Sequence, residues 1–338
     1  MSPNSLYLTA SLRRIEARHA SEPLMQRAGA AAAESAAALA GKRNRPILIL
    51  AGPGNNGGDG LVLARILKLA GAPVKVFVAG SAAKMSDLCK QMLAKARFAG
   101  VSVCFYGDVG WDDLADDAAD SEVIVDALLG TGQVGEPTGA ILEAIVAIHE
   151  SYATILSLDV PTGIDTDTGG AAGVFVDADM TVCFGMAKPF LFQGVGAEAC
   201  GDWRVEDIGY PEESFNEIAG FIAIDEPIAI EKLGHRPVAS HKGNNGHVLI
   251  VAGSYQMRGA AVLAAQGALR SGAGRVTVAS IVEVCEAVAV AVPEALLRPL
   301  EDDDGVISAE SAEMVIDLQD TVDCALFGPG LTTHESVR

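Results

Sequence analysis

Three short stretches of this chain collect amides, carboxylates and a hydroxyl where apolar runs end. The first is Gly52-Pro53-Gly54-Asn55-Asn56-Gly57-Gly58-Asp59-Gly60. The second is Asp126-Ala127-Leu128-Leu129-Gly130-Thr131-Gly132-Gln133-Val134-Gly135-Glu136, and the third is Asp159-Val160-Pro161-Thr162-Gly163-Ile164-Asp165. Gly52, Gly54 and Gly57 fit G-x-G-x-x-G, a spacing that lets backbone N–H groups approach a phosphate where a helix begins. Two details separate it from the fingerprint of a hydride-transferring dehydrogenase. No Asp or Glu ends the second strand, Val76-Phe77-Val78-Ala79-Gly80, to hold an adenosine ribose. Asn55, Asn56 and Asp59 also exceed what a phosphate cradle needs. No Lys-Ser/Thr follows the glycines, so the stretch is not a P-loop. A turn in which Asp59 caps a helix is the plainer alternative, but it leaves most of these polar and glycine positions unexplained.

Asp126 and Asp159 each close an apolar run, which places both carboxylates at the carboxyl edge of a sheet. Either one alone reads equally well as a turn or cap residue. Carboxylate, amide and hydroxyl oxygens brought together suit a hard cation. Carboxylates beside an apolar crevice can also acquire raised pKa values and exchange protons.

The elements that must hold these loops follow from hydrophobic patterning. Residues 5 to 41 read as helical, with a restart at Ser21-Glu22-Pro23. Short apolar runs at Pro46–Ala51, Pro73–Ala79, Val101–Phe105, Glu122–Leu128, Thr154–Leu158 and Met180–Phe184 suit strands buried on both faces. Helical segments at Leu61–Ala70, Met85–Ala99 and Ala140–His149 separate them. This alternation predicts an α/β fold with a Rossmann-like, doubly wound, mostly parallel sheet, and Trp203–Asp207 adds an edge strand. Periodicity weakens between Pro211 and Pro237, and a second strand–helix series then opens with His247–Ala252, Gly259–Ser271, Arg275–Ala279, Val282–Val292 and Asp323–Phe327. The expected domains are residues 1–215 and 225–338.

Composition narrows the function. The chain has 338 residues, 24 Lys and Arg against 44 Asp and Glu, and a formal charge of −20. A phosphate backbone or an anionic bilayer rewards clustered Lys and Arg, so neither nucleic acid nor membrane is an expected partner. Cys89, Cys104, Cys183, Cys200, Cys285 and Cys324 are scattered, as reduced thiols of a cytoplasmic protein are. The alanine-rich run Gly29–Ala40 contains Glu34 and is too short to span a bilayer, and no signal peptide is visible.

The set Leu24-Met25-Gln26-Arg27-Ala28-Gly29, Gly54–Gly60, Asp126–Gly132 and Asp159-Val160-Pro161-Thr162-Gly163 resembles the NAD(P)H-hydrate epimerases over residues 5 to 212. Further on, Ser240–His247, Ala252-Gly253-Ser254, Gly259-Ala260-Ala261, Arg270–Gly274 and Gly328-Pro329-Gly330-Leu331 resemble the opening of an ADP/ATP-dependent NAD(P)H-hydrate dehydratase, a ribokinase-like domain. The order matches the bifunctional nicotinamide-nucleotide repair family. The resemblance implies that Asn55, Asn56, Gly57, Gly58 and Asp59, the stretch Gly130, Thr131, Gly132, Gln133, Val134, Gly135 and Glu136, and Asp159 contact the hydrated nucleotide NADHX or NADPHX. It implies that Asn56, Asp126 and Thr162 coordinate a potassium ion, Thr162 standing where the family usually has Ser. Lys188 in Ala187-Lys188-Pro189 matches a family lysine, against the plain reading of a solvated surface charge. Phe190 replaces the usual small residue, so the sheet edge there is expected to be shaped differently. In the second domain His241, Ala260 and Gly330 would line the nucleotide.

Water added across the nicotinamide 5,6 double bond leaves a hydroxyl at C6. The ring nitrogen can expel it, and water can re-attack the iminium on either face. A carboxylate would serve as acid and then base, with Asp159 the first candidate and Asp59 the second. A dehydratase needs a later Gly-Thr-Gly-Asp loop, and ADP or ATP with Mg. No such loop follows Gly330, so the second domain reads as incomplete and inactive alone. A Rossmann oxidoreductase is disfavoured by the missing ribose carboxylate. A non-catalytic nucleotide- or partner-binding module is disfavoured by the retention of Asn56, Asp126, Thr162 and Asp159. A homo-oligomer is expected, with the N-terminal helices offering a dimer face.

Overall fold

Runs such as Ile47-Leu48-Ile49-Leu50-Ala51 carry no polar alternation, so both faces of the strand must be covered. The computed structural model describes residues 5–19, 23–41, 45–108, 111–133, 135–211, 213–214, 220–233 and 236–333. It divides into two compact units between Ala229 and Ile230. The first contains β1 (Ser5–Leu6), α1 (Thr9–Arg18), α2 (Leu24–Leu39), β2 (Ile47–Ala51), α3 (Asn55–Leu69), β3 (Val74–Val78), α4 (Asp87–Phe98), β4 (Ser102–Phe105) and α5 (Trp111–Asp120). It continues with β5 (Val123–Ala127), α6 (Ala140–Glu150), β6 (Thr154–Leu158), β7 (Met180–Phe184), α7 (Gly196–Ala199), β8 (Asp202–Glu206) and β9 (Phe221–Ile222), and α8 (Glu226–Leu233) crosses the division.

The main sheet has seven strands in the order β4-β3-β2-β5-β6-β7-β8, all parallel. Ile47, Ile49 and Ala51 pack with α2, α3 and α4, while Leu48 and Leu50 pack with α5 and α6. Strand β2 is thus buried on both faces, as a doubly wound α/β sheet requires. The chain runs outward through β3 and β4, then returns to place β5 on the other side of β2. The carboxyl ends of β2 and β5 therefore form the topological switch point, where crevices open in such sheets.

Two local expectations are corrected, and one helix is added. Ser5–Leu6 is not helical; it pairs antiparallel with Phe221–Ile222. Helix α3 begins at Asn55, not Leu61, so the amide-rich stretch is its first turns rather than a loop, and Gly54 in extended conformation takes the cap position. Asp59 therefore caps nothing. The glycines answer to packing: a Cβ on Gly57 would lie 1.9 Å from the Gly52 carbonyl oxygen, and one on Gly60 would lie 2.7 Å from the Ala127 Cβ. This close seat of α3 on the strand ends outweighs the weak helix propensity of glycine. Helix α5 is an added element, which the sequence reading did not offer because its many aspartates hide the Leu114/Ala118 pair, four residues apart, that packs on the sheet.

The second unit holds β10 (His247–Val251), α9 (Arg258–Arg270), β11 (Arg275–Ser280), α10 (Val282–Ala291), β12 (Leu296–Pro299), the hairpin of β13 (Asp302–Asp303) with β14 (Val306–Ile307), α11 (Ala312–Gln319) and β15 (Cys324–Phe327). Its sheet is β12-β11-β10-β15, parallel throughout, around Leu249, Ile250, Val276, Val278 and Val284. It too is α/β, with β12 and α11 added to the expected elements. Among the described residues, no helix is long and apolar enough to cross a membrane.

The glycine packing sets an expected outcome. Gly57→Ala forces α3 off the strand ends and destabilises the first unit by about 3 kcal/mol or more, read as a lowered urea midpoint.

Candidate active site

Asp126, near the end of β5, has no solvent exposure. A buried carboxylate must find donors, and this one finds four. Its Oδ2 accepts from Ser157 Oγ and the Thr162 N–H, each at 2.9 Å. Its Oδ1 accepts from Thr162 Oγ1 at 2.7 Å and the Leu128 N–H at 3.2 Å. Burial pushes its carboxyl above the usual range, and the bonds from Thr162, Leu128 and Ser157 oppose that shift. Thr162 Oγ1 also accepts the Leu129 N–H at 3.0 Å, tying the loop after β5 to the loop after β6. Gln133 fastens the same two loops: its amide donates to the Ile164 carbonyl and accepts the Gly163 N–H at 2.8 Å.

Asn56 joins α3 to this knot. Its Nδ2 donates to the Leu129 carbonyl at 2.7 Å and the Leu158 carbonyl at 3.1 Å. Its Oδ1 is buried and has no hydrogen-bond partner. An orphaned buried acceptor among carbonyl, carboxylate and hydroxyl oxygens fits a hard cation. The fit is unequal across the predicted set. Asn56 Oδ1 has open lone pairs, whereas Asp126 would join a cation only by releasing one of its four hydrogen bonds.

Asp159 and Lys188 form the second feature. Asp159 has φ +69°, a left-handed backbone that is rare outside glycine and strained. Its Oδ1 accepts from Lys188 Nζ at 2.6 Å and the Phe184 N–H at 3.3 Å. Lys188 is 1% exposed, and its other two bonds go to the Phe184 and Met186 carbonyls, both at 3.3 Å. Burial lowers its ammonium pKa, but the Asp159 charge and its neighbours more than compensate, leaving it above the ordinary value. A solvated surface lysine is thereby excluded. The replacement Phe190 is fully buried and packs with Val160, Ile164 and Leu191 beneath this edge.

Asp59, in the second turn of α3, keeps some exposure, and its carboxyl has no hydrogen-bond partner among the described residues. Burial first, then the charges of Asp159 and Glu16, push its carboxyl well above the usual range. The influence of Glu16 brings α1 into the site, which the sequence reading did not foresee. Arg13, on α1 as well, reaches the second loop: its Nη2 is 3.7 Å from where a Gly132 Cβ would stand. Tyr210 lies in the same field, its phenol raised by burial and by Glu16, Asp159 and Asp59. The three-residue spacing of Arg13 and Glu16 shows that they share a helix face. No pattern in the chain shows what that face meets.

The remaining predicted positions spread outward. Asn55 is exposed and accepts from Ser86 Oγ at 3.1 Å. Gly57 and Gly58 are buried, Gly58 against Met25. Gly130 sits beside Asn56, while Gly132, Gly135 and Glu136 are exposed and Thr131 is half-buried. Val134 lies outside the described residues. A surface cavity of about 440 Å³ lined by His149, Val174, Phe175 and Asp177 holds none of the predicted residues. In the second unit Ala260 and Gly330 meet, with a Gly330 Cβ position 2.7 Å from the Ala260 Cβ. His241 is exposed and accepts the Gly243 N–H, capping a short turn.

The buried pair yields a stability test. Lys188→Met strands Asp159 in a low-polarity pocket and is expected to cost about 3 kcal/mol. Because the folded-state lysine pKa is raised, its contribution is complete below the unfolded lysine value. It is lost as pH rises through the folded value, so the deficit of the variant in urea unfolding should hold at neutral pH and shrink only in alkali.

Residues 21–190 match the family model described as YjeF-related protein N-terminus, and residues 248–338 match NAD(P)H-hydrate dehydratase. The bifunctional NAD(P)H-hydrate repair enzyme Nnr of Thermofilum pendens is 34% identical over 315 residues, covering 93% of this chain and 59% of that protein. The protein of the same name from Hyperthermus butylicus is 36% identical over 318 residues, covering 93% and 56%. The chain thus spans under two thirds of the length of these relatives. The crystal structure of yeast ynu0 shares the fold, with a TM-score of 0.53 at 23% identity over 65% of this chain and 97% of that one. With half its length matched by the first model, the chain belongs to the YjeF-related family, its two segments in the order of the bifunctional NAD(P)H-hydrate repair enzymes.

Proposed function

We propose that the first unit interconverts the R and S forms of hydrated NADH and NADPH. The observation that carries this reading is the unequal pair of carboxyls at one crevice. Asp59 is pushed well above the usual range by burial and by acidic neighbours, while Asp159 is ion-paired with Lys188 at 2.6 Å. Environments that treat two carboxyls so differently suit one for acid and the other for base work. The relatives named NAD(P)H-hydrate repair enzymes supply the substrate class.

In this reading protonated Asp59 donates to the C6 hydroxyl of the hydrated ring. The C6–O bond breaks as the ring nitrogen lone pair forms the iminium, and water departs. Water then adds to the opposite face and gives its proton to the Asp159 carboxylate, and proton exchange with solvent returns both carboxyls to their starting states. Asp159, held by Lys188, places negative charge beside the iminium. A potassium ion at Asn56 Oδ1, with Asp126 and Thr162, would supply a fixed positive charge that orders the loops after β2, β5 and β6.

The test couples this chain to an intact, independent dehydratase, supplies the R form of hydrated NADPH and follows recovery of the reduced nucleotide. Potassium should accelerate turnover more than sodium does, and Asn56→Ala should remove that preference. Activity that needs a protonated Asp59 survives above the pH at which an ordinary carboxylate ionises, and falls as pH rises through the elevated value. Asp59→Asn should cost about 10²-fold or more and flatten that alkaline limb. Asp159→Asn that binds ligand yet turns over normally would remove Asp159 from the mechanism.

The second unit supports a nucleotide-dependent dehydratase segment by its family match. No Gly-Thr-Gly-Asp sequence occurs within residues 248–338. These 338 residues should therefore show no dehydration of the S form with ADP or ATP and Mg. Measurable nucleotide-driven recovery by the chain alone would refute that.

A further inference from the structure

Helix α1 is fastened to the crevice from both ends. At its start the Thr9 N–H and Oγ1 donate to Asp167 Oδ1, at 2.7 and 2.9 Å, so a carboxylate 158 positions away meets the first turn. The Tyr7 N–H donates to the Ala187 carbonyl at 3.0 Å, one residue from Lys188. Leu12 and Ile15 bury one face of the helix with Tyr7 and Met186. At the far end the His19 ring meets Ser214 Oγ at 2.8 Å. So held, α1 presents Arg13 to the loop Gly130–Gly132.

A dinucleotide brings at least two phosphate charges to a site lined with Asp59, Asp159 and Glu16, on a chain of net charge −20. Beside backbone N–H groups, a cationic side chain at the crevice would receive them. Lys188 is unavailable, because it is buried and its protons go to Asp159, Phe184 and Met186. Arg27 donates to the Ile208 and Gly209 carbonyls. Arg13 is exposed, and among the described residues no hydrogen bond or close ion pair engages its guanidinium, although the charge of Glu16 on the same helix acts on it. Its planar fork suits phosphate oxygens.

We infer that Arg13 is a substrate-binding residue of this site, pairing with the phosphate groups of the dinucleotide, and that Asp167 is a positioning residue that docks α1 for this purpose. The inference rests on the substrate reading above. Its test is calorimetric binding of NADP⁺, which carries the phosphates without the hydrated ring, to the full chain at several salt concentrations. Arg13→Ala should weaken binding about tenfold or more and flatten the salt dependence, while Arg13→Lys restores part of both. Asp167→Ala should weaken binding in the same direction with the salt dependence retained, because the guanidinium is still present but less well placed. Wild-type affinity in Arg13→Ala, with wild-type circular dichroism, overturns the inference while leaving the substrate reading intact. No binding of NADP⁺ by the unchanged chain overturns the inference, because the phosphates then find no receptor, while the coupled epimerase assay still decides the substrate reading.

Discussion

The site depends on one buried charge. Asp126 lies wholly inside the protein, and an unpaired carboxylate there would cost several kcal/mol. Satisfying it takes Ser157 from β6, Thr162 from the loop beyond and Leu128 from its own loop. Thr162 is then placed to receive the Leu129 N–H, and the Leu129 carbonyl is placed to receive Asn56 from α3. A requirement of solvation physics thus becomes a geometric one: the loops after β5 and β6 and the start of α3 are held at fixed separations.

That arrangement leaves two groups in unusual states. Asn56 Oδ1 is an acceptor without a donor, because its amide nitrogen is committed to two carbonyls. Asp159 is held in a left-handed backbone by Lys188 and the Phe184 N–H. Strain and unsatisfied polar atoms are expensive, and proteins concentrate them where ligands or chemistry will use them. Both lie at the carboxyl end of the sheet, near the strand-order switch between β2 and β5, where an α/β architecture leaves a crevice.

The glycine-rich stretch shows how one motif can serve packing and the placement of polar groups together. Gly57 and Gly60 permit α3 to lie against the strand ends, and Gly58 accommodates Met25. That close seat brings Asn56 within reach of the Leu129 and Leu158 carbonyls and carries Asp59 toward Asp159. Residues that read as a phosphate cradle are, in the folded protein, the condition for placing an amide and a carboxyl.

The chain by itself determined the strands, the doubly wound sheet, the three polar stretches and their family. Buried parallel strands are written as unbroken apolar runs, and carboxylates that end such runs must surface at one edge. It also marked Asn56, Asp126, Thr162 and Asp159, because their residue types stand at fixed distances from those runs. Only the tertiary structure decided the rest. Ser5–Leu6 became a strand because its partner lies more than two hundred residues away. Lys188 proved to be a core residue, and Arg13 and Glu16 proved to be neighbours of Gly132 and Asp59. Those facts depend on which surfaces meet, and a helix face that docks across long sequence separation leaves no periodic trace of its partner.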